Sequence, residues 1–199
     1  MLKGKIPGDT RVLKLVVLRL RTTMPETGNN GHRIAVQADL NGNLSFFSSK
    51  FALVPASFFS ESAARALLAE VVDIDSSETV GYTKVPQYDA VLVFSNASGA
   101  SLLPEIYYVL ESLHGLQDYN KIVASWGYGK LYLAVAQGKT LLLCNAFDAP
   151  DFTTAEYFLF LVMKKLQLNP EVSTVYFRTP LTEEQELSLY RYFRSVEKI

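Results

Sequence analysis

A chain of 199 residues with 49% hydrophobic side chains and a mean hydropathy of +0.12 can fill a sizeable core. It suits one large domain or two small ones packed together, and wholesale disorder is excluded. With 19 basic and 20 acidic residues the formal charge is −1. That balance offers no electrostatic footprint for a nucleic-acid backbone and no polybasic attraction to anionic lipid.

The single cysteine, Cys144, lies in the apolar run Thr140-Leu-Leu-Leu-Cys-Asn, which favours a buried small hydrophobe over a nucleophile. The first ten residues lack the apolar centre of a signal peptide. The longest unbroken apolar run, Tyr157–Met163, falls far short of the roughly 20 residues of a membrane span. These features predict a soluble, reduced, cytoplasmic protein without membrane insertion.

In chain order, residues 1–10 read as a loose leader. Val12–Leu20 places Leu13, Leu15, Val17 and Leu20 among basic residues, a half-buried strand pattern. Thr22–His32 is a loop by composition. Arg33–Ala38 and Leu44–Phe47 flank Asn41-Gly42, a strong hairpin signal. Ser60 caps an expected helix over Glu61–Val71, with Ala63, Ala64, Leu67, Leu68 and Val71 at helical spacing. Asp73–Pro86 reads as a polar connector. Tyr88–Ser95 is a near-continuous apolar run, the mark of a strand buried on both faces. A helix over about Leu102–Leu113 is expected to end with His114 in its last turn and Gly115 in the left-handed capping position.

The remainder is clearer. Lys121–Ser125, Leu131–Ala136 and Thr140–Phe147 read as three strands, with Gly127, Gly129 and Gly138 closing tight turns. A helix over about Thr153–Leu168 opens on Thr153-Thr-Ala-Glu156, a capping-box pattern, and stops at Asn169-Pro170. Because Tyr157–Met163 is apolar on every face, this helix is expected at the centre, covered on both sides. A strand over Ser173–Arg178 and a helix over Thr182–Val196 follow, the latter opening on Thr182-Glu-Glu-Gln185. The order is β-β-β-α-β-α, and a blurred copy of it precedes. The expected fold class is therefore α/β with mixed sheets, duplicated, with residues 11–116 as a first half and 117–199 as a second.

Two stretches carry a family resemblance. Residues 140–170, T-L-L-L-C-N-A-F-D-A-P-D-F-T-T-A-E-Y-F-L-F-L-V-M-K-K-L-Q-L-N-P, and residues 51–59, F-A-L-V-P-A-S-F-F, resemble a bacteroidete family of uncharacterised proteins built around a domain of unknown function. The resemblance implies an actin-like ATPase fold, two ribonuclease H-like halves facing each other, with no established activity. Family members carry a helix before the F-x-L-V-P strand for which residues 1–45 are short, so the first half is expected to be trimmed.

Actin-like ATPases need an aspartate near the first strand of a half to orient magnesium, and backbone N–H groups to cradle phosphates. The matching runs here are Leu18-Arg-Leu-Arg-Thr-Thr and Ala124-Ser-Trp126-Gly-Tyr-Gly129, neither with an acid. A ribonuclease H-type nuclease needs converging carboxylates, the first on the opening strand, and that one is missing too. Asp39 and Asp89 read as turn residues. Gly4-Lys-Ile-Pro-Gly-Asp-Thr has the wrong order for a P-loop. His32 and His114 lack the spacing of a zinc site. Asp148, Asp151 and Glu156 crowd a helix entrance, which capping explains more simply than the alternative of a cation site.

No catalytic, cofactor-binding or metal residue is therefore assigned, and no cofactor is expected. The candidate interaction surface is Trp126, Gly127, Tyr128 and Gly129, aromatics on a glycine-rich hairpin; the competing reading packs Trp126 inside. Tyr190, Tyr192 and Phe193 are either a docking face or core. The expected role is a non-catalytic scaffold or interaction module with an unidentified protein partner, self-association remaining open. The rival is an ATP-binding switch or small-molecule kinase with an atypical site.

Overall fold

The computed structural model describes residues 35–38, 42, 44–96 and 102–199. The leader, the Val12–Leu20 strand, the Thr22–His32 loop, Arg19, Arg21 and Asp39 lie outside the described residues. The C-terminal portion follows the sequence pattern closely. Strands β7 (Asn120–Gly127), β8 (Lys130–Gln137) and β9 (Thr140–Asp148) form an antiparallel meander. Its turns need glycine where φ is positive, at Gly129 (+71°) and Gly138 (+55°), while Gly127 is not left-handed. Helix α3 (Phe152–Lys165) then leads to β10 (Thr174–Phe177), which lies parallel beside β7, and α4 (Glu183–Tyr190) to β11 (Ser195–Lys198), parallel to β10. The sheet order β11-β10-β7-β8-β9 is that of a ribonuclease H-like unit.

Before it come the hairpin β1 (Ala35–Ala38) and β2 (Leu44–Phe47), β3 (Phe51–Pro55), α1 (Ala64–Ala69), β4 (Thr79–Val85), β5 (Ala90–Asn96), β6 (Leu103–Pro104) and α2 (Glu105–Gly115). They make two three-stranded sheets, β1-β2-β6 and β3-β5-β4. β5 is the doubly buried strand its apolar run predicts. Val91 and Val93 face α1, whereas Leu92 and Phe94 face the other way, toward α2.

Three apolar clusters set the layers. α3 and α4 cover one face of the five-stranded sheet through Phe158, Leu159, Val162, Leu189 and Phe193. On the opposite face Val123, Tyr132 and Ala134 meet Ile106, Val109, Leu110 and Leu113 of α2, together with Phe46, Leu92 and Phe94. All four of those α2 residues are 0% exposed. The central helix is thus α2, not α3. Tyr157 on α3 is 60% exposed, so α3 has one outward face despite its apolar composition.

Several local expectations are corrected. Residues 79–85 form β4 rather than a connector, because Thr79-Val-Gly-Tyr-Thr-Lys-Val finds a full antiparallel partner in β5. The Glu61–Val71 helix shrinks to a 3-10 turn and α1, with no cap bond from Ser60. Gly115 is not left-handed, and α2 ends in extended backbone at Leu116. The cap of α3 is Asp151, whose carboxylate accepts from the Thr154 N–H, rather than the Thr153 box. α3 stops at Lys165, with Gln167 left-handed at φ +56°, before Asn169-Pro170 is reached. The Thr182–Gln185 box forms as read, but the helix it opens ends at Tyr190 and the chain continues into β11. Tertiary pairing beside β10 outweighs helix propensity there.

Candidate functional site

In open α/β sheets ligands meet the carboxyl ends of parallel strands. Here those ends belong to β7 and β10, paired through Ala124 and Phe177. The Arg178 N–H donates to the Ala124 carbonyl at 3.0 Å, which carries the Arg178 side chain out of β10 toward α2. The Arg178 Nε donates to Glu105 Oε1 at 3.0 Å, and one terminal nitrogen donates to Ser112 Oγ at 2.9 Å. The guanidinium also lies over the Tyr108 ring, 5.4 Å from its centroid.

Glu105 is held from the other side as well. Its Oε2 accepts from the Ser45 hydroxyl of β2. Glu105 is 2% exposed and Arg178 5%, so both charges are out of water and each has a partner. A carboxylate in the first turn of α2 is further favoured by the helix dipole. A buried, hydrogen-bonded ion pair therefore ties β2, α2 and the end of β10 together. Ser125, on the same stretch of β7, is 0% exposed, and its hydroxyl has no hydrogen-bond partner among the described residues.

The Trp126–Gly129 hairpin lies beside this cluster. The Trp126 N–H donates to Thr179 Oγ1 and its indole Nε1 to the Ala149 carbonyl, both at 2.9 Å. Its ring meets Phe152 edge-on at 5.3 Å. Tyr128 is 59% exposed, yet its hydroxyl donates to the Val36 carbonyl at 3.0 Å and its ring sits 5.3 Å from Phe47. A Cβ on Gly127 would come within 2.9 Å of the Gln37 side chain and 3.1 Å of Phe47. The hairpin thus clasps β1 and β2, and of its aromatics only Tyr128 shows substantial surface.

The remaining candidates hold structural positions. Asp148 pairs with Lys130 at 2.7 Å. Asp89 takes a left-handed turn conformation (φ +48°), and its carbonyl accepts from the Ala56 N–H. His114 packs edge-on against Tyr88. Cys144 borders an apolar groove of about 250 Å³ between β3, α1 and β9, and burial pushes its thiol up to about 12, far from a reactive thiolate. Burial likewise raises the Tyr132 phenol well above 10. Among the described residues no three His, Cys, Asp or Glu side chains converge as a metal site requires, and no helix is long and apolar enough to cross a membrane.

Sequence reading did not find Glu105, Arg178 or Ser45. Their signals are faint: an arginine at the exit of a buried strand and a glutamate directly after Pro104.

Comparison with known proteins agrees with this architecture. A crystal structure from Bacteroides thetaiotaomicron, described as a protein with actin-like ATPase fold and unknown function, matches with a TM-score of 0.62 and 21% identity. The match covers 76% of this chain and 65% of that one, less than two thirds of its length. The fold is therefore that of the actin-like ATPases. The family described as "Protein of unknown function (DUF3822)" matches residues 43–196, and the chain belongs to that family. Comparison with curated proteins finds no match.

Proposed function

We propose that this protein is a non-catalytic actin-like chain that works as an interaction module, in the bacterial cytoplasm, with its cleft closed by its own side chains. On this reading residues 11–116 and 117–199 are the two facing halves, preceded by a leader over 1–10. The observation that carries it is the Glu105–Arg178 pair. The arginine that could receive a phosphate at the ends of β7 and β10 already holds an internal carboxylate, and that carboxylate is satisfied by Ser45. A phosphate entering there would have to displace Glu105 and leave its charge buried without a counter-charge, a cost of several kcal/mol. Magnesium chemistry would need an acid facing the phosphates, and the acid present is neutralised by arginine. The Trp126–Gly129 hairpin serves, on the same reading, as an internal clasp that offers a partner only the outer face of Tyr128.

Thermal melts with and without millimolar Mg-ATP test this. A ligand at about 100 times its dissociation constant adds about 2.7 kcal/mol and moves the midpoint visibly. No shift is expected. A magnesium-dependent rise would overturn the proposal in favour of an ATP-binding switch.

A further inference from the structure

We infer that the outer face of α3 and α4 is a self-association surface, and that its occupant is a second copy of this chain packed antiparallel to the first. β9, β10 and β11 all run in the direction of β7. Each of the two helices returns from the end of one such strand to the start of the next, so α3 and α4 run parallel to each other. They lie in one layer, both feeding the same core.

Apolar side chains of this layer are exposed mid-helix and just beyond the end of α4. Tyr157 is 60% exposed, Leu187 64% and Tyr192 52%. Tyr192 packs edge-on against Phe160, centroids 4.9 Å apart, linking the C-terminal end of α4 to α3. Single exposed apolar residues are ordinary, but several in one layer mark a contact surface.

The two ends of the layer carry opposite charge. Where both helices begin stand the exposed acids Asp151, Glu183 and Glu184; Glu186 is paired with Lys198. Where both end stand the exposed cations Lys164, Lys165, Arg191 and Arg194, with Glu171 and Glu197 as the exposed acids nearest them in sequence. Helix dipoles favour this arrangement on any helix. Because the helices are parallel, however, the bias adds across the layer instead of cancelling. A twofold axis through the middle of the layer then lays the acidic end of one copy on the basic end of the other, an isologous contact. A parallel arrangement would oppose like charges.

This inference names the partner for the interaction-module reading and rests on it, but nucleotide binding and self-association are read by separate measurements, so either can fail alone. Sedimentation velocity on the full chain, from micromolar to hundreds of micromolar, is expected to show a reversible dimer that weakens with salt. Leu187→Arg should weaken it by about tenfold or more. Lys164→Glu with Lys165→Glu should likewise give monomer, and adding Glu183→Lys with Glu184→Lys to that variant should restore the dimer. The restoration guards against a variant that has merely lost its fold. A native chain that stays monomeric throughout, including one that instead binds a different protein, overturns the inference. So does a dimer indifferent to Leu187→Arg, or a charge reversal that the second reversal does not rescue.

Discussion

Arg178, the residue that follows β10, donates its Nε to the Glu105 carboxylate at 3.0 Å across 73 residues of sequence, and both side chains are buried. One partner sits at the start of the helix between the sheets and the other at the end of a parallel strand. The bond therefore couples the start of α2 to the end of β10. Removing either charge strands the other in a dry site, so Glu105→Ala and Arg178→Met should each cost about 3–5 kcal/mol in urea unfolding. Replacing both with apolar residues of similar volume, Glu105→Leu with Arg178→Met, should recover most of that loss. A double variant as unstable as the sum of the singles would show that the two act independently.

The helix caps separate two sequence patterns of the same form. Thr182-Glu-Glu-Gln185 makes its reciprocal bonds, Thr182 Oγ1 accepting from the Gln185 N–H and the Gln185 side chain accepting from the Thr182 N–H. At α3 the cap is Asp151, two residues ahead of the threonine that the pattern suggests. Thr182→Ala and Asp151→Ala should each cost about 1 kcal/mol by chemical denaturation, and Thr153→Ala close to nothing. Equal losses at Thr153 and Asp151 would return the cap to the threonine.

What was legible in the sequence divides along physical lines. The meander β7–β9 and the doubly buried β5 announce themselves because continuous apolar runs and left-handed glycines are local signals. β4 and β11 do not, since Thr79-Val-Gly-Tyr and Ser195-Val-Glu-Lys become strands only through neighbours distant in sequence. Burial of a helix is similarly non-local. α3 spreads its apolar residues more evenly round its axis, yet α2 is enclosed, because α2 lies between sheets and α3 at the edge of the layers. Tyr190, Tyr192 and Phe193, indistinguishable by type, separate into two exposed rings and one buried one. The Glu105–Arg178 cluster was the least legible. Ser45, Glu105 and Arg178 come from three elements, and no spacing connects them.

Gly81 reports on the fit of β4 against β5. A Cβ there would lie 2.8 Å from the Phe94 ring, which is 4% exposed and packs against Phe46, with ring centroids 6.0 Å apart. Strand propensity alone favours alanine over glycine, so the two effects oppose each other. The overlap should prevail, because a buried ring flanked by a second ring has little room to retreat. Gly81→Ala is expected to destabilise by about 1–3 kcal/mol, and a Phe94→Leu background should relieve much of that loss. A stabilised Gly81→Ala protein would mean that β4 yields to the side chain.

Stability should fall in alkali, because the folded protein holds protons on Tyr88 and Tyr176 that the unfolded chain gives up. Burial is the main cause that raises Tyr88 and Tyr176 to about 12 from the ordinary phenol value of 10.0; the neighbouring Cys144 and Glu111 add to it at Tyr88, and the bond to Asp118 adds to it at Tyr176. The Tyr176 hydroxyl donates to Asp118 at 2.7 Å, a bond that ionisation of the phenol would abolish. Both groups are neutral when protonated, and their folded values lie above their unfolded ones. Their contribution is thus fully present below about pH 10 and is lost as the pH rises toward about 12, where the unfolded chain has already released both protons. Denaturation midpoints followed through this window should decline in the native protein. The decline should be shallower in Tyr176→Phe, which starts lower for want of the Asp118 bond but has one fewer proton to lose. An unchanged slope in that variant would remove Tyr176 from the account and leave the alkaline loss to Tyr88 and the other buried phenols.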